Sequence, residues 1–251
     1  MIESIKNTIN RFEPISLENM DRVRLLKRTD KKYLMNIQML NTFLGPLTES
    51  YFTLEHAQKR ILHYETQYFD TTELELYSMH LHGQGRRYKV RKRFYSDSKI
   101  RFFELKTRTN QGKTEKQRIP TPDDNSQLRE EEIELLQNEL PFDPELLKPT
   151  LLTGYDRITL VNKTHNERVT IDLSLMFEQD GEKTEMQNLV IVEVKQAEKA
   201  LTPALEALRD LRQKPGGISK YCLGLISTLP KLPFNRFKPL LLKIDKLITT
   251  S

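Results

Sequence analysis

Residues 86–95 read RRYKVRKRFY. Valine, tyrosine and phenylalanine at alternating positions predict a β-strand, in which successive side chains point to opposite faces. Arg87, Lys89, Arg91 and Arg93 then share one face, and Arg86, Tyr88, Val90, Lys92 and Phe94 form the other, more apolar one. Residues two apart on a strand stand about 6.5–7 Å from each other. At that spacing like charges repel by roughly 0.6 kcal/mol in water and about 2.4 kcal/mol at an effective dielectric of about 20. Four cations in a row call for an anion.

The same arrangement recurs along the chain. In 60–70, Arg60, Leu62, Tyr64, Thr66, Tyr68 and Asp70 share a face; in 101–108, Phe102, Glu104, Lys106 and Arg108 oppose Arg101, Phe103, Leu105 and Thr107. A turn at 110–112 leads into a run with Thr114, Lys116 and Arg118 on one side, which predicts a hairpin. Further on, 154–161 sets Tyr155, Arg157 and Thr159 against Asp156, Ile158 and Leu160. The run 168–175 sets Arg168, Thr170, Asp172 and Ser174 against Val169, Ile171, Leu173 and Leu175. In 189–196 Glu193 and Lys195 interrupt only one face of an apolar strand.

An antiparallel sheet with one solvated face accounts for such alternation. A merely solvated face, however, mixes charges of both signs, and here cations cluster. The second reading is a barrel whose polar faces line a lumen and whose apolar faces lie under helices. Inward cations in that confined space create a strong positive field that attracts polyanions.

The elements that must carry these strands are helices predicted at about 17–27, 37–44, 128–139, 203–213 and 237–248. Thr202 and Pro203 stand at the cap and first position of the fourth. A length of 251 residues suits one domain, 1–251. Charged residues make up 30% and hydrophobic residues 37%, and no run is long enough to span a membrane. The N-terminus, MIESIKNTINRFEP, lacks the apolar core of a secretory signal, so a cytoplasmic location is expected. The single cysteine, Cys222, excludes an internal disulfide and sits in the apolar run YCLGLI, where a buried, inert thiol is expected. His56, His63, His80, His82 and His165 show no zinc-type spacing. The formal net charge of +5 says less about partners than the arrangement of the charges does.

The motifs RTDKKYL (28–34), YFD (68–70), KVRKRFY (89–95), FELKTR (103–108) and GKTEKQR (112–118) are followed by GYDR (154–157), RVTIDLSL (168–175), VEVK (192–195) and SKY (219–221). In this order they resemble the catalytic domain of the vacuolar transporter chaperone polyphosphate polymerases. That domain belongs to the triphosphate tunnel metalloenzymes, with thiamine triphosphatases, class IV adenylate cyclases and fungal-type RNA triphosphatases. Each motif alone is weak; their order and spacing over nearly the whole chain carry the likeness.

The resemblance implies an α+β fold: a closed antiparallel β-barrel of about eight strands forming a basic-lined tunnel, with helices packed outside. It makes Lys32 the basic residue of the first strand and Arg91 and Arg93 the pair that grips the phosphates, followed by Lys106. Arg157 matches the arginine of the Tyr-x-Arg motif, Glu193 the metal-binding glutamate and Lys220 the lysine of the Ser-Lys-aromatic motif. Lys89, Lys116, Arg118, Arg168 and Lys195 join as further phosphate-binding positions. The implied cofactor is Mn²⁺ or Mg²⁺, and the implied partners are ATP or another triphosphate and polyphosphate.

Those residue types suit phosphoryl transfer, which needs charge neutralisation and in-line positioning more than covalent assistance. The planar fork of arginine holds two phosphate oxygens at once, whereas lysine offers a mobile point charge. Several positions keep a plainer alternative. Glu193 with Lys195, and Glu104 with Lys106, are each either functional or a same-face ion pair. Asp172 is either a second metal ligand or a brace for Arg168. Tyr68 and Tyr95 are expected to pack, and Lys220, after Gly216 and Gly217, falls in a predicted loop.

The sequence departs from its relatives in two respects. The additional phosphate-sensing domain and membrane segment of the fungal polymerases do not occur in it. Near the N-terminus, where ESIKN and RTDKKY stand, the paired Glu-x-Glu signature of the thiamine triphosphatase branch is absent. The expected function is a metal-dependent polyphosphate polymerase that moves the terminal phosphate of ATP onto a growing chain. The alternatives are a tunnel triphosphatase and a non-catalytic polyanion-binding module. Nucleic acid is not an expected partner, because aromatic residues are only 8%, tryptophan is absent and no base-stacking pattern is evident.

Overall fold

The structure, a computed structural model, describes residues 2–22, 29–122 and 127–249. Eleven strands form one sheet. In chain order they are β1 (Glu13–Ile15), β2 (Thr29–Asn36), β3 (Tyr51–Leu54), β4 (Leu62–Asp70), β5 (Arg87–Tyr95) and β6 (Ile100–Arg108). They continue with β7 (Thr114–Pro120), β8 (Lys148–Asn162), β9 (Glu167–Gln179), β10 (Glu182–Met186) and β11 (Leu189–Gln196). The α-helices are α1 (Ile2–Ile9), α2 (Leu17–Arg22), α3 (Leu40–Leu44), α4 (Glu75–Leu81), α5 (Glu130–Gln137), α6 (Pro203–Asp210), α7 (Lys220–Thr228) and α8 (Lys238–Thr249). The helix predicted at 17–27 is seen as α2, and 23–27 lie outside the described residues. Among the described residues no helix is long and apolar enough to cross a membrane.

The main path of the sheet runs β2-β11-β9-β8-β4-β5-β6-β7, every neighbour antiparallel. The α+β class and the inward cationic face are present, but the expected closed barrel is not: among the described residues nothing pairs β2 with β7. Both end strands are charged, β2 with Asp30, Lys31 and Lys32, β7 with Glu115, Lys116 and Arg118, which suits unpaired edges. The sheet nonetheless curls strongly. Lys32 and Lys106 lie on strands six steps apart along the path, which in a flat sheet is about 29 Å. Yet Lys32 Nζ donates to the Ile218 carbonyl at 3.1 Å, and Ile218 lines one cavity with Lys89 and Lys106, so β2 curls round to face β5 and β6 across a bore.

Register sorts the side chains as the alternation predicts. Lys32 stands opposite Glu193, Glu193 opposite Thr170, and Arg157 opposite Asp172. On the other wall Tyr68 stands opposite Arg91, Arg91 opposite Glu104 and Glu104 opposite Arg118. Directly opposed residues project to the same face, so these sets all enter the bore. Arg60, placed on that face by the sequence, precedes β4 and instead pairs with Glu55 at 2.7 Å.

Apolar alternates fill two outer layers. Met35, Ile158, Val169, Ile171 and Val192 pack with Ile5, Phe43 and Leu208 from α1, α3 and α6. Val90, Phe103 and Leu105 pack with Leu76 of α4 and Leu136 of α5. Not every helix lies outside, which corrects the expectation. Leu34, Tyr68, Leu151, Phe177 and Ile191 form a cluster at one end of the bore face, with Tyr221, Leu225 and Ile244 from α7 and α8. A Cβ added at Gly224 would lie 2.6 Å from both Leu151 and Phe177, so α7 comes as near as a glycine allows. A bulge makes this end possible. Ser174 adopts φ 53°, and the β8–β9 register shifts there. Leu175, predicted on the outer face with Leu173, therefore turns with Phe177 into the cluster under α7.

Candidate functional site

Carboxylates aim the cations of the bore. Glu104, fully buried, accepts from Arg91 Nε at 2.7 Å and Nη2 at 2.6 Å, and its second oxygen meets the ammonium of Lys116. Burial alone would raise its pKa, but Arg91, Arg93 and Lys116 hold it well below the usual carboxylate range. The Glu104–Lys106 ion pair, one of the two readings of that stretch, is not made among the described residues, since Glu104 is committed across the strands to Arg91 and Lys116. Asp172 grips Arg157 with both oxygens, at 2.6 and 2.8 Å, and also accepts from Lys220. It braces Arg157 rather than Arg168, whose Nη2 donates to the Met20 carbonyl at 3.2 Å. Burial opposes ionisation of Asp172 as well, and Arg157 and Lys220 outweigh it.

Aromatic rings complete the support. The guanidinium of Arg157 lies 5.0 Å from the Tyr64 ring and 5.1 Å from Tyr155, and Lys220 lies 4.3 Å from Tyr155. Tyr68 packs on Tyr221 at 5.1 Å, and Tyr95 packs on Tyr64 at 5.0 Å, as packing residues should. Lys220 is not in a loop; it opens α7 behind Ser219, whose hydroxyl accepts from the Cys222 amide. Cys222 itself is buried, and burial pushes its thiol pKa up, in keeping with an inert role.

Between these braced groups lie cations that no carboxylate touches directly among the described residues. Among the described residues Lys89, Lys106 and Arg93 form no ion pair, and Arg93 makes only a long 3.4 Å bond to Thr66. Burial, then Lys32, Lys89 and Arg91, push Lys106 down to about 7. Burial, with Lys32 and Arg91 adding to it, pushes Lys89 down to about 8. Lys116 falls to about 8, again chiefly through burial, despite Glu104.

A cavity of about 320 Å³ opens at each end of the bore. Arg118, Arg157, Arg168 and Lys195 line one beside Tyr95; Arg87, Lys89, Lys106 and Arg108 line the other. Tyr95 and Arg87 end the same strand, roughly 26 Å apart. Cations thus continue from one mouth to the other. Sequence reasoning assigned Lys32, Lys89, Arg91, Arg93, Lys106, Lys116, Arg118, Arg157, Arg168 and Lys195 to strands, where the structure sets them on the bore face or at its ends, and Lys220, expected in a loop, joins them from α7. It missed Arg236 at the second mouth and the pairing of Asp70 with Tyr221, although both of those residues stood within the motifs YFD and SKY.

Glu193 faces Lys195 at 3.0 Å and Lys32 at 3.8 Å. Burial would raise its pKa, but Lys195 and Lys32 keep it ionised, with the pKa below the usual range. Among the described residues no three histidine, cysteine or acidic side chains converge as a protein-only metal cage. A single ionised carboxylate flanked by two lysines is no protein-only cage, and it suits a hard ion that keeps most of its ligands from water or a bound anion, the habit of Mg²⁺.

The described residues thus form a curled antiparallel sheet with a cation-lined bore and carboxylate-braced arginines. The family described as the VTC domain matches residues 27–229, and the chain belongs to that family. No curated protein sequence matches it. Among solved structures it is similar to a putative adenylyl cyclase from Hippeastrum described as revealing a dominant triphosphatase activity. That likeness has 13% identity and a TM-score of 0.48, and it covers 83% of this chain and 99% of the other. A putative adenylate cyclase from Vibrio parahaemolyticus gives 13% identity, 78% and 97% coverage and a TM-score of 0.44. One from Bacillus halodurans gives 14%, 84% and 95%, and 0.41.

Proposed function

We propose that the protein transfers the terminal phosphate of ATP to a growing polyphosphate chain within the bore, with Mn²⁺ or Mg²⁺ as cofactor. The observation that carries this reading is the unpaired set Lys89, Lys106 and Arg93. It lies within a basic surface that continues between the two cavities, farther than one triphosphate extends. In the proposed step an oxygen at the chain end attacks the γ-phosphorus of ATP in line. The bond from that phosphorus to the β–γ bridging oxygen breaks, ADP leaves with the electron pair, and the chain gains one phosphate.

Arg91, aimed by Glu104, and Arg93 hold the transferring group, while Lys106 and Lys89 neutralise charge on the departing oxygens. Arg157, clamped by Asp172, and Lys220 orient the phosphates from the other wall. Lys32, Lys116, Arg118, Arg168 and Lys195 extend the cradle. Glu193 would hold the metal, which when bound offsets phosphate charge.

The test is to incubate purified protein with ATP and Mn²⁺ and resolve the products. Long phosphate polymer with stoichiometric ADP is expected; free phosphate alone would overturn the polymerase reading. Arg91→Ala, Lys106→Ala and Glu193→Ala should each lower turnover at least about tenfold, near 1.4 kcal/mol of transition-state stabilisation. Equal activity in all of them would overturn the site assignment. A triphosphatase, in which water attacks instead, is the second reading. The outer edges of β2 and β7, which pair with no strand among the described residues, favour it by leaving a route for water.

A further inference from the structure

Away from the bore the chain carries two patches of opposite charge, each built around exposed apolar side chains. Residues 128–149 hold seven acidic side chains and two basic ones, whereas 230–249 hold five basic and one acidic. In the first patch Glu131, Glu132 and Glu139 are paired with Arg129, Lys92 and Arg86. Glu130, Glu134 and Glu145 form no ion pair among the described residues. Glu130 and Glu134 are four residues apart on α5 and so share a face. Beside them Leu128, Ile133, Pro144 and Leu147 line a cavity of about 540 Å³, with Glu145 and Lys148 in the same lining. Leu146, next in the chain to both Glu145 and Leu147, is 53% exposed. The second patch is α8 with the residues that lead into it. Leu242 is 54% exposed and Phe234 36%. Lys238 and Leu242 are four residues apart on α8, on the face turned away from the buried Ile244. Lys231 and Lys238 form no ion pair among the described residues.

An apolar centre rimmed by charge is the anatomy of a protein interface, and the two rims here have opposite signs. We propose that the Phe234–Lys238–Leu242 ridge of one molecule seats in the Glu130–Glu134–Glu145 groove of a second copy of this chain. Leu242 enters the apolar cavity, and Lys231 and Lys238 meet the three glutamates. A second copy is the partner that the charges specify, because both complementary halves belong to the same chain and neither has its counterpart within one molecule. α5 packs on the outer face of β5 and β6, while α8 joins the cluster at one end of the bore face, so the sheet stands between the two patches. The contact therefore uses different surfaces on the two molecules. A head-to-tail contact of this kind leaves one groove and one ridge unfilled at the ends, and it propagates unless its rotation closes a ring. The proposal is independent of the chemistry assigned to the bore.

Sedimentation velocity of the full chain between about 1 and about 100 µM, the range of micromolar affinities, tests it. The wild-type protein should grow in mass with concentration, and added salt should reverse the growth. A ridge variant, Lys231→Ala, Lys238→Ala, Leu242→Ser, and a groove variant, Glu130→Gln, Glu134→Gln, Glu145→Gln, should each weaken self-association at least about tenfold. Each variant keeps the half that the other lacks, so an equimolar mixture should form dimers and nothing larger. That outcome also shows that both variants are folded. A wild-type protein that stays monomeric up to about 100 µM would overturn the proposal. So would variants that associate as the wild type does, or a mixture that stays monomeric although the wild type associates. A monomeric wild type whose ridge instead binds vesicles of anionic phospholipid, with binding lost in the ridge variant, would overturn it in favour of a membrane surface.

Discussion

Lys106 is a buried lysine surrounded by its own kind. Burial first, then Lys32, Lys89 and Arg91, push its pKa down to about 7, with Glu193 only partly offsetting them. An unfolded lysine titrates near 10.4. The folded-state value lies below the unfolded one, so the penalty for charging Lys106 is full below about pH 7 and fades as pH rises towards the unfolded value. This residue's contribution to apo stability therefore improves on going alkaline. A bound polyanion reverses the balance by favouring the ammonium. At pH 8 tripolyphosphate binding should take up protons, seen as a dependence of the calorimetric heat on buffer ionisation enthalpy. Lys106→Met should lose part of that uptake, and wild-type affinity should rise as pH falls from 9 to 7. Heats independent of buffer would contradict the crowded-lysine account. The face that Lys106 occupies was legible in the sequence because alternation is local. The partners were not. Asp172 reaches Arg157 and Glu104 reaches Arg91 and Lys116 through strand register, which depends on distant residues.

At the scale of elements, the segment leading into α7 stitches together walls that the strands leave apart. The amide of Gly216 donates to the Lys32 carbonyl at 2.8 Å, and Lys32 Nζ donates to the Ile218 carbonyl at 3.1 Å. Lys220 then meets Asp172 on β9, and the Tyr221 hydroxyl meets Asp70 at the end of β4. Asp70 also accepts the Leu76 and Tyr77 amides at 2.8 and 2.9 Å, which ties α4 to the same joint. Tyr221→Phe removes one donor to a buried carboxylate and should cost about 1–3 kcal/mol in urea unfolding. Combined with Asp70→Asn, the losses should be non-additive; additive losses would show that the two side chains act independently. The sequence concealed α7 because KYCLGLIST is buried on nearly every side and carries Gly224, so no polar stripe marks a helix. The bulge at Ser174 escaped for a related reason: one extra residue reverses the facing of everything after it without altering the composition of the run.

For the whole molecule, alternating faces look the same in an open sheet and a closed one, so closure could not be read from the chain. What the structure adds is an open, curled sheet whose edge lysine, Lys32, confronts Lys89 and Lys106 across the bore. Like charges facing each other there disfavour a closed bore, and the strap at 216–221 ties Lys32 to α7 across it. A polyanion lying between them turns repulsion into a bridge. Tripolyphosphate at about a hundred times its dissociation constant should add about 2.7 kcal/mol, a rise in Tm of roughly 5–11 °C for a chain of this size. In 1 M NaCl, where the screening length is about 3 Å, much of that rise should vanish. If the anion bridges the walls, amide exchange should also slow along β7, which is mostly exposed and, among the described residues, pairs only with β6. A rise in Tm with β7 exchange unchanged would mean that the anion sits on one wall alone, and the bridging account would fail.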